Sequence, residues 1–517
     1  MRTGLLAILC QAALILASLA TSLTVRAEQE TAPTTPRAGA EDSDASLPRL
    51  GLEPGEPQVR SPPPSIPFGI KPSESKTDVL DFHGFMLLPL HVGLLDRPNP
   101  RPGESGTVMH SPPLIPQYLR SFEYVGVVPS PWVQLNFTYG NSNVSATAIL
   151  AARSFPDAAG FYNPVDQLGV NDAFVTVNLS KPLAIPLVLK VGAMTGRYGP
   201  MGSYDAGRYG TPLIARTNAI GEMITAGFKL GDVTLVLEQG IGGQLGRPPA
   251  GLVPAGWNDF ASGGVGASFV NHLHVGAAYA GLAQVGLHYL TSWSQDDQIP
   301  SGLVPNGRIT VFGADARLTA GRFGHFYAGV VRTLATNAAT VSGVIEILNA
   351  RGGPELISQY LGPASGGDGA LTTFGAQYDL SVARLFFDDI YRGKSPDLRV
   401  SLFGMGTKVE SDDPGYDGVL KLKGGAEVTY DFFSWFGLST RFDHVRLDAG
   451  DSAKAFSILS PRVLFHTGWL SRDEFALQYS YFSSGSRVNV RTGYPPTEDL
   501  TRSPDRHVVS LLATFWW

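Results

Sequence analysis

From Val79 onward the sequence alternates apolar and polar residues with a period of two, and the connections between alternating segments are short and long by turns. In Leu420–Tyr430 one face reads Leu420, Leu422, Gly424, Ala426, Val428 and Tyr430. The other reads Lys421, Lys423, Gly425, Glu427 and Thr429. Phe475–Tyr481 sets Phe475, Leu477, Tyr479 and Tyr481 against Ala476, Gln478 and Ser480. Ala173–Leu179 and Val144–Leu150 repeat the pattern, with Ile149 the one exception in the latter. Successive side chains of a strand point to opposite faces, so these are strands with one apolar and one largely polar face.

The connections sharpen this. Tight turns are expected at Gly140–Ser142, Leu230-Gly231, Ala320 and Asp431–Ser434, and long loops at 91–119, 153–170, 197–218, 241–258, 295–306, 335–370, 407–418, 447–454 and 484–505. The strands between them number about 18, with 16 as the alternative count. One hairpin is placed at 259–270 and 273–294, and the strand before Gly140 is placed at 120–139. An even count with short turns at one rim and long loops at the other predicts an all-β fold, a single transmembrane antiparallel β-barrel. The competing architecture is a secreted β-sandwich with its charges on the solvent face. It fits less well, because a sandwich core needs close complementarity and the apolar faces here mix large residues with many Gly and Ala.

Composition agrees. Only 16% of residues are charged, against roughly 25% in ordinary soluble domains. Lys and Arg number 39 against 45 Asp and Glu, a net charge of -6, which gives no basic footprint for nucleic acid. Residues 1–27 read as a secretory signal peptide: Arg2, an apolar run Leu5–Leu19, and Val25-Arg26-Ala27 as the cleavage site. The only cysteine, Cys10, falls within it, so disulfides and Cys-ligated metals are not expected beyond residue 27. Residues 28–78 hold ten prolines and one aromatic residue, Phe68, and are expected to be a disordered periplasmic tether. Residues 79–517 are the barrel, with the long loops extracellular.

The segment Val79–Phe85, the segment Lys190–Gly199 and the terminal strand Ser510–Trp517 complete a pattern that resembles the porin-like outer-membrane β-barrel proteins of Gram-negative bacteria. The resemblance spans about residues 79–517. It implies the cell outer membrane as location, with lipid and lipopolysaccharide as surroundings, and a monomer or homotrimer. It implies recognition of the aromatic-ended C-terminal strand by the barrel-assembly machinery, Trp517 standing where Phe is commoner. It also implies diffusion of small hydrophilic solutes, without naming one.

For a pore, function lies in the lumen lining and in any loop folded inward. Lys190, Arg197, Arg399, Lys421, Lys423, Glu427, Arg441 and Asp443 are the candidates for a polar ring, where opposite signs across a narrow lumen would filter ions by charge. Arg197 and Arg208, among the tyrosines of 197–216, are candidates for contact with sugars or carboxylates. Loop 335–370 shows helical spacing in Val341, Val344, Ile345 and Leu348, and again in Leu356, Ile357, Tyr360 and Leu361. It is expected either to fold into or over the lumen or to stand outside as a structured loop.

No catalytic constellation can be assembled, so no enzyme activity, cofactor or metal is expected. The run Gly240-Ile241-Gly242-Gly243 lacks the helix that a nucleotide loop requires. His272 and His274 share one strand face, but no third ligand is identifiable for zinc. Glu410–Asp417 reads as a solvated turn rather than a calcium loop. Two other functions compete with the pore: an outer-membrane enzyme acting on lipids, and a structural or partner-binding barrel plugged by loop 335–370.

Overall fold

A computed structural model describes residues 79–94, 132–153, 168–180, 186–198, 215–245, 267–280, 282–295, 306–338, 341, 345–347, 361, 368–386, 396–446, 448–467, 472–485 and 507–516. The first strands are β1 (Val79–Leu94), β2 (Trp132–Gly140), β3 (Val144–Arg153), β4 (Leu168–Asn178), β5 (Leu187–Tyr198) and β6 (Ala215–Leu230). Then come β7 (Val233–Leu245), β8 (Ala267–Tyr279), β9 (Ala283–Gln295), β10 (Arg308–Thr319), β11 (His325–Thr336) and the short β12 (Ile345–Ile347). The last are β13 (Gly369–Ser381), β14 (Asp397–Ser411), β15 (Leu420–Phe433), β16 (Phe436–Arg446), β17 (Ala455–Phe465), β18 (Arg472–Ser484) and β19 (His507–Trp516).

Every strand except β12 pairs antiparallel with its neighbours in sequence order. β1 pairs with β2 through Val79–Leu87 and with β19 through Phe85–Leu94, so the ladder returns on itself. The ring therefore holds 18 of the 19 strands, matching the expected count. Closure leaves no unpaired edge, which a sheet exposed to lipid cannot tolerate.

Strand faces follow the alternation. The apolar face points outward: Leu80, Ile220, Leu287, Leu318, Phe374, Leu402, Leu477 and Leu511 are each between 49% and 68% exposed. The polar face points inward, with Gln134, Lys190, Gln284, Asp315, Gln377, Lys423, Arg441, Gln478 and Ser510 all buried. A sandwich would have the opposite arrangement. Aromatic pairs stand near the short-turn rim: Phe433 stacks on Trp435 at 5.7 Å, and Phe436 lies 5.5 Å from Phe465. Such girdles mark the membrane interface of barrels.

Turn chemistry is local. Gly231 takes φ 62° between β6 and β7, a region that costs a residue with a Cβ. The β8–β9 hairpin differs from the expected one. It turns at Ala280, φ 45°, and not near Asn271 and His272. Both lie mid-strand: His272 faces the polar interior, and Asn271 on the outward face accepts a hydrogen bond from Gln239 of β7, so neither marks a turn. The strand expected at 120–139 corresponds to β2, Trp132–Gly140, and residues 120–131 lie outside the described residues.

Hydrophobic packing inside the ring is concentrated at the long-loop end. Inward-facing Val270, Leu290, Ile309, Val311, Val331, Leu371 and Val409 form one cluster with Ala338, Val341 and Leu361 of the 335–370 connection. From the same connection, β12 pairs with β6, Ile345 opposite Thr217 and Ile347 opposite Ala215. β6 is five strands round the ring from β11, where the connection begins.

Candidate functional site

The inner wall is the site. On β14–β17 the alternation aims Arg399, Lys421, Lys423, Glu427, Asp431, Arg441, Asp443 and Arg462 to one side. Arg441 donates to Asp443 through Nε at 2.8 Å and Nη2 at 2.9 Å. Lys423 Nζ lies 3.5 Å from the same carboxylate. Glu427 receives Arg462 at 2.7 Å and lies 3.7 Å from Arg441. Arg399 pairs with Asp431 at 3.1 Å. The Phe403 ring covers this network, 4.4 Å from the Arg441 guanidinium and 5.5 Å from Lys423 Nζ. Such contacts favour a cation over an aromatic face.

The opposite wall, β4–β10, is built differently. Lys190 Nζ sits 4.5 Å over the Phe174 ring. His272 lies 3.6 Å from Glu238, and His288 3.4 Å from Asp315. His274 and His288 stack with centroids 4.4 Å apart and share a 2.9 Å Nδ1–Nδ1 hydrogen bond. Glycines make room for these rings. A Cβ on Gly240 would fall 2.2 Å from His272 Cε1, and one on Gly286 would fall 2.5 Å from Asp315 Oδ1 and 2.8 Å from His288 Nε2. Gly240 and Gly286 therefore leave room for imidazole packing.

Of the sequence candidates, Lys190, Arg399, Lys421, Lys423, Glu427, Arg441 and Asp443 lie on the inner face. Arg197 is opposite Arg216 in the β5–β6 register, its side chain outside the described residues, and Arg208 also lies outside them. Among the described residues these opposite charges are paired laterally along one wall: within β16 for Arg441 and Asp443, between neighbouring strands for Lys423 and Asp443 and for Arg399 and Asp431, and over the intervening β16 for Arg462 and Glu427. Their ion pairs are lateral because residues two apart on a strand, or in register on its neighbour, lie within reach of each other.

Sequence reading missed Asp315, Glu238, His288 and Arg462. Asp315 and Arg462 sit at alternating positions next to Ile309–Val311 and Leu464, so face counting from the apolar partners would have found them.

The outer face decides the class. An even-stranded closed ring, apolar outside and charged inside, is stable only where lipid replaces water around it. The architecture is that of an outer-membrane β-barrel. No family model matches the chain, and no curated protein matches it significantly. Among solved structures, OccK11 (OpdR) of Pseudomonas aeruginosa aligns at a TM-score of 0.36 and 12% identity, over 85% of this chain and 95% of that one. OccK8 (OprE) of the same organism aligns at 0.38 and 12%, over 85% and 97%. Wzi of Escherichia coli, described as a carbohydrate-binding β-barrel involved in group 1 capsule assembly, aligns at 0.40 and 11%, over 84% of each chain.

Proposed function

We propose that the barrel is an outer-membrane channel for small hydrophilic solutes, narrowed at its outer mouth by the 335–370 connection. One observation carries the reading: below the apolar cluster at the long-loop end the inward face is charged and polar from β4 round to β19, while the outward face is largely apolar. A ring of 18 strands is wide enough for an aqueous lumen. The pairing of β12 with β6 and the burial of Val341 and Leu361 against the inner wall support a connection folded into the mouth. Purified protein in planar bilayers is expected to give stable open steps. Correctly folded, inserted barrels that stay silent at every voltage would overturn the channel.

A plugged, partner-binding barrel is the second reading, favoured by the complete burial of Leu290, Ile309 and Leu361 at the mouth. Conductance that arises only after deletion of 339–367 would support it over an open channel.

A further inference from the structure

The inward face of β7–β10 brings imidazoles and carboxylates into register. Glu238 on β7 is opposite His274 on β8, and His274 is opposite His288 on β9. Residues directly opposite on adjacent strands hold their Cβ atoms about 5 Å apart. The row continues to Gly313 on β10, and Asp315 stands two residues along from it, opposite Gly286. Glu238 and His274 are half-buried, whereas the side chains of His288 and Asp315 are 0% exposed. The row is thus open to the lumen at Glu238 and His274 and closed behind them.

Two observations point to a ligand here. The Nδ1 atoms of His274 and His288 lie 2.9 Å apart. Two nitrogens on one tetrahedral metal ion, each about 2.0–2.1 Å from it, lie roughly 3.3 Å apart, so the pair is a few tenths of an ångström from that spacing. The rings stack at 20°, and a shared ion needs them turned so that both lone pairs meet it. They lie on open backbone: a Cβ at Gly276 would meet His274 Nε2 at 3.0 Å, and one at Gly286 would meet His288 Nε2 at 2.8 Å. The second observation is Asp315. Neither of its carboxylate oxygens accepts a hydrogen bond among the described residues, and His288 Nε2 lies 3.4 Å from Oδ2. A buried carboxylate without donors is costly. A metal ion on His288 Nδ1 fixes the ring proton on Nε2, where this carboxylate can receive it.

We propose that Glu238, His274 and His288 form a site for a divalent transition-metal ion, with Asp315 orienting His288. Two imidazoles and one carboxylate are a donor set suited to such ions. Among the described residues no three donors are already closed on one point. The imidazole pair is in place and the carboxylate is turned aside: Glu238 accepts from Thr225 Oγ1 at 3.3 Å and lies 3.6 Å from His272 Nε2. Its place in the row lets a change of side-chain rotamer carry it to the lumen side of the pair. An ion arriving from the lumen draws it there, and water or a solute fills the remaining position. The inference rests on the inward facing of these strands and is independent of conduction.

The probe is Zn²⁺ alone, added to chelator-stripped protein in lipid vesicles and measured in competition with a chromophoric chelator. Saturable binding of a single ion is expected. His274→Gln and His288→Gln should each weaken it by about 100-fold or more, and Glu238→Gln and Asp315→Asn by about tenfold or more. His325→Gln, on β11, should leave it within about twofold. Heat-modifiable gel mobility reports folding in each case. In the unaltered chain, Zn²⁺ is expected to slow modification of His274 by diethyl pyrocarbonate about tenfold, read by mass spectrometry, and to leave His466, just past β17, unaffected. No saturable binding, binding that survives both histidine substitutions, Glu238→Gln or Asp315→Asn as tight as the parent, or equal modification of His274 with and without Zn²⁺ would overturn the site.

Discussion

Arg441 and Asp443 stand two residues apart on β16 and close a two-pronged ion pair, with 0% and 1% of their side chains exposed. The alternation puts them on one face, and the same carboxylate faces Lys423 from β15. Three charges thus depend on one another on the wall of the lumen. A buried pair of this kind adds little over a well-packed apolar pair, but breaking it strands a charge.

Asp443→Asn is therefore expected to destabilise the barrel by about 3–5 kcal/mol, the usual cost of removing one partner of a buried pair. The urea midpoint followed by tryptophan fluorescence reads it. A shape-matched double replacement, Arg441→Met with Asp443→Leu, should recover part of the loss. A midpoint unchanged by Asp443→Asn would show that the network is solvated in the membrane.

Leu361 is fully buried in the mouth cluster, and its carbonyl accepts a hydrogen bond from Ser411 on β14. Leu361→Ala should cost about 2–5 kcal/mol of local docking energy, by the lost transfer energy and the cavity. Most of the barrel ladder is untouched, so the global midpoint should move little. Protease cleavage within 339–367 and bilayer conductance should both rise. Unchanged cleavage would mean that the β12–β6 pairing alone holds the connection.

Strand number and facing were legible in the sequence because the period of two is a covalent property of extended chain. Leu420–Tyr430 reads the same in sequence and structure. The β8–β9 hairpin was misplaced because Asn271 and His272 look like a turn, although each satisfies a different face of one strand. Lateral pairing was not legible. Which cation meets which carboxylate depends on register between strands, and Arg462 reaches Glu427 over the intervening β16. The docking of β12 on β6 is longer in range still, and periodicity within 335–370 carried no sign of which wall it would meet.

Gly286 faces Gly276 in the β8–β9 register beneath the stacked His274 and His288 rings. A methyl group at 286 would meet Asp315 Oδ1 at 2.5 Å and His288 Nε2 at 2.8 Å. Gly286→Ala should thus push the imidazole and carboxylate apart and cost about 1–3 kcal/mol, the usual range for overpacking. At Gly276 the nearest atom is His274 Nε2 at 3.0 Å, so Gly276→Ala should cost less. Urea midpoints rank the two. The reverse order would mean that the His288–Asp315 contact yields more easily than the His274 ring.

Asp448 lies outside the strands, in the connection between β16 and β17. Partial burial pushes its carboxyl upward, but the Lys454 ammonium at 3.0 Å and the Gly450 N–H at 2.9 Å outweigh this and hold it below the usual carboxylate value. A depressed folded-state value means that the contact stabilises the connection at pH above the ordinary carboxylate range. That stabilisation is lost as pH falls through the folded value. Lys454→Met should move the Asp448 midpoint back up, read by carboxyl carbon NMR, and make amide exchange at Gly450 faster at a higher pH than in the parent chain. High salt should act in the same direction, since the pair is partly exposed and screened. A midpoint that ignores both the substitution and the salt would assign the depression to the Gly450 amide alone.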